Sequence, residues 1–169
     1  MRRLMLVDDD KNVLHALQRS IRQCSFAAEL RIELFTDPLL ALERSRTVEF
    51  EVAISDFQMP QLDGIHFLQR LRVLQPDVVR LILSASTEFE TVKRAINEAE
   101  VFRYIPKPWD LADLQEIIPL ALARRDELDA TRLQTGELTL QQLALRRLEA
   151  AESGITQVNW GPDGSVNLD

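Results

Sequence analysis

A single cysteine, Cys24, stands in 169 residues. No intrachain disulfide can form, and Cys24 has no Cys or His companion at metal-ligand spacing, which fits a reducing compartment. No apolar run approaches the roughly 18 residues that span a bilayer. The opening MRRLMLVDDD reaches acid too soon to be the apolar core of a signal peptide. A cytoplasmic protein with no membrane partner is expected. A basic field is also missing: the formal net charge of -7 divides into -4 over residues 1–122 and -3 over 123–169. With no recognition-helix pattern and no aromatic residues interleaved with basic ones, direct DNA or RNA binding by this chain is not expected. Gly-rich phosphate loops of either common kind are absent. What is present, 46% apolar and 28% charged residues without low-complexity tracts, describes a folded globular chain. Its length suits one domain with an extension.

The apolar pattern alternates between two periods. Arg3 to Val7 is a buried strand ending in Asp8-Asp9-Asp10, after which Val13, Leu14, Leu17 and Ile21 recur at helical spacing. Asp10 suits the helix cap. The cycle repeats with a strand over Leu30 to Phe35, a helix opening at Thr36-Asp37-Pro38, and a strand over Val52 to Ser55. A loop with Met59-Pro60 leads to a helix near Ile65 to Leu74, a strand over Val79 to Ser84, and a helix near Glu88 to Ala99. A fifth strand, Phe102 to Ile105, precedes Pro106-Lys107-Pro108 and a helix from Asp110. Continuously apolar strands alternating with helices predict an α/β fold, with a parallel sheet covered on both faces.

In such sheets ligands bind beyond the carboxyl ends of the strands. Those ends carry Asp8 and Asp9, Asp56, Ser84 and Lys107. Each alone has an ordinary reading: a helix cap, a turn residue, a strand-end hydroxyl, a solvated amine. Together they form one acidic rim with one amine. Packed carboxylates raise one another's pKa unless a cation compensates, and Mg²⁺ does so with one or two carboxylates while leaving room for a phosphate oxygen. Phosphoryl transfer then requires an in-line nucleophile and positive charge, which Asp56 and Lys107 offer, with Ser84 donating to a phosphoryl oxygen.

The blocks LMLVDDD, VAISDFQMP-x-LDG, LILSAS and YIPKPW resemble the signature blocks of the receiver domains of two-component response regulators, over about residues 1–122. YIPKPW, with Trp109, is similar to receivers of larger multidomain regulators. The resemblance implies a flavodoxin-like doubly wound sheet of five strands in the order 2-1-3-4-5. It implies Asp56 as phospho-acceptor, Mg²⁺ held by Asp9, Asp56 and the main-chain carbonyl of Gln58 with Asp8 on a bound water, and Ser84 and Lys107 on the phosphoryl group. Ser84 and Tyr104 would form the switch, the aromatic turning inward as the hydroxyl is drawn to the phosphate. A cis Lys107-Pro108 bond is implied as well. Gln58 and Ser86 are positions that vary in the family and bear on phosphoryl lifetime. The expected function is a signalling protein rather than an enzyme: it takes its phosphoryl group from a histidine kinase, catalyses that transfer on itself, and alters contacts with an unidentified output protein. A phosphate-independent adaptor on the same fold is the alternative. A small-molecule Mg²⁺-dependent phosphatase is a weaker one, since no general acid stands near Asp56 and His15 and His66 lie on helices.

After the receiver, residues 123–169 predict an extension. The long helix continues past Leu122 toward Leu128 and Leu133, both expected to be exposed, with a kink near Gln115 caused by Pro119. A second helix over 139–153 is expected from the Thr139-x-x-Gln142 capping box and a Leu138–Leu143 staple, ending at Gly154. A β-hairpin over 155–168 is expected from Trp160-Gly161-Pro162-Asp163-Gly164-Ser165, pairing Trp160 with Val166 and Val158 with Leu168. Because a lone hairpin is marginal in water, its apolar face needs a cover, and a homodimer through this extension is the preferred one.

Overall fold

The apolar runs become five strands, β1 (Arg2–Val7), β2 (Leu30–Phe35), β3 (Val52–Asp56), β4 (Val79–Ala85) and β5 (Arg103–Lys107). All pair in parallel, in the order β2-β1-β3-β4-β5. This is the expected flavodoxin-like sheet. The computed structural model describes residues 1–85, 89–152, 158–160 and 166–168, with side chains through residue 148 except those of 89, 91 and 137–139. Between the strands lie α1 (Lys11–Arg22), α2 (Pro38–Arg44), α3 (Gly64–Leu74), α4 (Phe89–Ala99) and the start of α5 (Leu111–Glu152).

Alternate strand residues feed two cores. Leu4, Leu6, Ile54, Leu81, Leu83 and Ile105 pack with Leu14, Leu17 and Ile21 of α1 and with Leu114, Ile118 and Leu122 of α5. Met5, Val7, Ala53 and Ile82 face the other way, onto Leu42 of α2, Ile65, Phe67, Leu68 and Leu71 of α3, and Ala95 and Ala99 of α4. Each such side chain contributes roughly 1.5–3 kcal/mol by leaving water. Three helices open on aspartate caps: Asp10 accepts from the Asn12 N–H, Asp37 from Leu39 with Pro38 in the first turn, and Asp63 from His66.

Three strand ends run beyond the expected limits, β4 by the single residue Ala85. β3 includes Asp56, and β5 continues through Pro106 to Lys107, pairing Ser84 with Pro106 and Ala85 with Lys107. β5 is an edge strand, where proline is tolerated. The expected start of α4 at Glu88 lies outside the described residues.

Contacts divide the chain into two compact units, Met1–Leu128 and Asp129–Asp169. Leu128, expected to be exposed, is instead partly buried against the α1/α5 core. Arg125, one turn earlier, is buried and donates to the Phe50 carbonyl and the Glu49 carboxylate.

The second unit corrects the expected second helix over 139–153. α5 is unbroken to Glu152, so Thr139 lies inside a helix and has no end to cap. Gly136 costs about 1 kcal/mol relative to Ala within a helix, less than nucleating a new helix would. α5 also passes through Pro119 without ending. Leu133, Leu140, Leu145 and Leu148 are all exposed. Val158–Trp160 (β6) and Val166–Leu168 (β7) pair antiparallel, with Val158 opposite Leu168 and Trp160 opposite Val166. Gly154 and the turn over 161–165 that would complete a hairpin lie outside the described residues. Among the described residues, no helix is long and apolar enough to cross a membrane.

Candidate functional site

Parallel strands of similar length bring their carboxyl ends to one rim. β1 and β3 lie side by side, with Val7 opposite Ser55, so Asp8 and Asp56 follow on adjacent strands. β4 and β5 bring Ser84 and Lys107 to the same end. Ligand oxygens of Asp8, Asp9 and Asp56 all lie within 4.8 Å of one another. The Lys107 ammonium donates to Asp56 Oδ1 at 2.8 Å and to Asp8 Oδ2 at 3.1 Å. Residues separated by up to 99 positions in the chain thus share one site.

Burial sets the electrostatics. Asp8 is only 2% exposed and Asp56 8%, whereas Asp9 is exposed. Burial, then repulsion from Asp56, raises the Asp8 pKa, against the opposing Asp10 N–H and Lys107. For Lys107, burial alone would lower the pKa. The hydrogen bond and field of Asp56, followed by those of Asp8, outweigh it and raise the value, so the ammonium stays charged. One ammonium against three carboxylates leaves the rim short of positive charge. Clustered hard oxygen donors with that deficit suit a divalent cation of the Mg²⁺ class.

Other predicted residues fall around this centre. Ser84 is buried, and its hydroxyl donates to the Ala85 carbonyl at 3.2 Å. Tyr104 is 45% exposed on the edge strand β5. Gln58 is exposed on the loop after β3. Lys107-Pro108 is cis. Trp109 donates from Nε1 to Ser20 Oγ at 3.0 Å, tying the segment after Lys107 to α1. Ser86 lies outside the described residues.

One residue in this region had no role in the sequence reading. Gly64 donates its N–H to the Phe57 carbonyl at 2.9 Å, and a Cβ there would sit 2.1 Å from the Asp56 carbonyl oxygen. No side chain fits without displacing the backbone of β3's last residue. The Asp-Gly pair within VAISDFQMP-x-LDG was the available signal, but only the fold shows which backbone the glycine approaches.

Comparison with known proteins agrees with this geometry. Residues 4–119 match the response regulator receiver domain. The hydrogenase transcriptional regulatory protein HoxA of Cupriavidus necator is 29% identical over 161 residues, covering 89% of this chain and 31% of HoxA. The transcriptional regulatory protein ZraR of Escherichia coli K12 is 29% identical over 142 residues, covering 84% of this chain and 30% of ZraR. The chain therefore spans less than a third of either relative. Both are named as transcriptional regulators, so the expectation of no nucleic-acid partner draws no support from them. Among solved structures, the signal receiver domain of an HD domain-containing protein from Pseudomonas fluorescens Pf-5 superposes with a TM-score of 0.69 at 27% identity, covering 76% of this chain and 92% of that one. With a match over most of its length and an acidic rim at the strand ends, the chain belongs to the response regulator receiver domain family of two-component signalling.

Proposed function

We propose that Asp56 accepts a phosphoryl group from a histidine kinase and that the resulting acyl phosphate alters the protein contacts made around α4 and β5. The observation that carries this reading is the Lys107 ammonium bonded to both Asp56 and Asp8 within a cluster of three carboxylates. In this reading Asp8, Asp9, Asp56 and the Gln58 main-chain carbonyl hold Mg²⁺, which supplies charge neutralisation to the phosphoryl oxygens when bound. An Asp56 carboxylate oxygen attacks phosphorus as the P–N bond of the kinase's phosphohistidine breaks, and the imidazole leaves with the bonding electron pair. Lys107 then exchanges its bond to Asp56 for one to a phosphoryl oxygen, and Ser84 donates to another.

The acyl phosphate brings roughly 1.5 to 2 negative charges and new acceptor oxygens to the rim. Among the described residues, the Ser84 hydroxyl has a carbonyl bond of 3.2 Å to surrender. As its hydroxyl moves toward the phosphoryl group, the half-exposed Tyr104 ring turns into the vacated space, and the surface over α4 and β5 changes shape. A receiver over residues 1–122 carries this chemistry in the cytoplasm. An extension over 123–169, with its exposed leucines, carries self-association, and an unidentified output protein reads the switch.

The test is the amide NMR spectrum of the full chain with Mg²⁺, before and after addition of beryllofluoride, an acyl-phosphate mimic. Shifts at Asp56 and across residues 84–107, all lost in Asp56→Asn, are expected. A spectrum unchanged over that surface would contradict the switch.

A further inference from the structure

The opposite end of the sheet, where β4 and β5 begin, has a cleft that the rim chemistry does not use. It measures about 460 Å³ and lies between the carboxyl ends of α3 and α4 and the Arg124–Leu128 stretch of α5. That volume falls in the range of small-molecule sites. Its walls include Val78, Val101 and Phe102, and its charged lining is Arg72, Arg80 and Arg124 against Glu100 alone. In a chain of formal charge -7, three guanidinium groups gather here, Arg72 paired with Glu100 and Arg124 with Glu127, each at 3.1 Å and at the solvent edge, which leaves the buried Arg80 in excess.

Arg80 is the most informative of these groups. It is buried, yet its hydrogen bonds among the described residues go to main-chain carbonyls: Val78 at 2.8 Å, Ala99 at 3.1 Å and Glu100 at 3.3 Å. Those bonds give each of its three nitrogens an acceptor and close the end of α4, but carbonyls do not cancel a formal charge. The Glu100 carboxylate is instead engaged by Arg72 at 3.1 Å. Burial, then repulsion from Arg72, lowers the Arg80 pKa, with Glu100 opposing. Closing α4 accounts for Arg80 alone. It does not account for Arg72 and Arg124 flanking apolar walls, nor for Ile96 standing half-exposed among them.

We propose that this cleft binds a small organic anion in which a flat apolar ring carries a phosphate or carboxylate group. Guanidinium forks match the geometry of such oxygens, and Arg72 and Arg124 can exchange their exposed, weak pairs with Glu100 and Glu127 for them beside the buried charge of Arg80. The ring lies against Phe102 and Val101. The Arg103 guanidinium lies over the Phe102 ring at 4.4 Å from its centroid, so a flat ring seated on that face takes the place of Arg103. This site is independent of Asp56, which lies at the other end of the strands.

The test is an amide NMR titration of the full chain in Mg²⁺-free buffer, where the acidic rim repels anions. The probes are AMP, 1-naphthyl phosphate and 1-naphthoate, with adenosine and inorganic phosphate as half-ligands. Saturable shifts at residues 78–80 and 100–103 are expected with at least one probe, and binding roughly tenfold or more weaker for each half-ligand. Arg124→Glu, on an exposed helix surface, weakens binding by a similar factor, while Asp56→Asn leaves it unchanged. The proposal is overturned if none of the three probes gives saturable shifts there, if Arg124→Glu binds as tightly as the native chain, or if inorganic phosphate binds as tightly as the organic anions.

Discussion

Helix α5 is one continuous element in two environments. Up to Leu128 one face of it is core: Leu114, Ile118, Ala121 and Leu122 recur at three- and four-residue spacing and pack with the strands, while Leu111 and Leu120 on the other face stay exposed. Beyond it, Leu133, Leu140, Leu145 and Leu148 are exposed on the same backbone geometry. The difference teaches that composition alone does not locate a core. Leucines bury when their spacing matches a surface already assembled, and the strands supply that surface only to the first region. By the same logic the first region holds the acidic cluster, because the strand ends gather Asp8, Asp56 and Lys107.

The largest effect separating the two regions concerns phosphorylation by a small-molecule donor such as phosphoramidate. Lys107→Ala slows acyl-phosphate formation on the order of 10²-fold or more, since it removes the site's one ammonium. Truncation after Leu128 leaves the rate unchanged. A truncated chain as slow as the lysine variant would break the comparison. Next come the leucines and isoleucines themselves. Ile118→Ala costs about 2–5 kcal/mol in urea unfolding, whereas Leu140→Ala changes stability by no more than about 0.5 kcal/mol. A larger loss at Leu140 that grows with protein concentration would show that a second copy covers this face.

A smaller effect confined to the rim follows from Asp8. Its folded pKa is raised, so its contribution favours the fold below the unfolded value and is lost as pH rises through the folded one. At neutral pH in the absence of Mg²⁺ the Asp8 charge therefore burdens the native state. Mg²⁺ at ten times its Kd stabilises the protein by about 1.4 kcal/mol. Asp8→Asn raises the melting temperature of the metal-free protein and removes much of that increment, as calorimetry would show. The smallest effect is at Asp63. Burial alone would raise its pKa, but the His66 N–H, the His66 ring and Arg94 outweigh it and lower the value. The stability it contributes is fully present above the unfolded value near 3.9 and lost as pH falls through the folded one. Asp63→Ala costs about 1 kcal/mol at neutral pH and flattens the acid limb of the stability curve, in the full and the truncated chain alike.

Most of the receiver was legible in the sequence because its signals are local. Apolar runs mark strands, aspartates mark helix starts, and the strand ends then converge by topology. The site's charged residues were readable for that reason. What escaped depends on neighbours remote in the chain. Gly64 matters because of the Asp56 backbone, Leu128 is half-buried because a core lies beneath it, and Arg80 and Arg125 are buried because main-chain carbonyls from other elements receive them. The expected break in α5 failed for a different reason. A capping box at Thr139 marks a helix start only where the preceding chain leaves the helix, and neither Gly136 nor its neighbours force it to do so.

The central claim, that the carboxylate facing Lys107 is a phosphoryl acceptor, is most directly tested by peptide mass spectrometry after phosphoramidate treatment and borohydride reduction of the acyl phosphate. Reduction at Asp56 that requires Mg²⁺ and disappears in Asp56→Asn is predicted. A chain that stays unmodified, or that carries the label at another residue, would contradict the account.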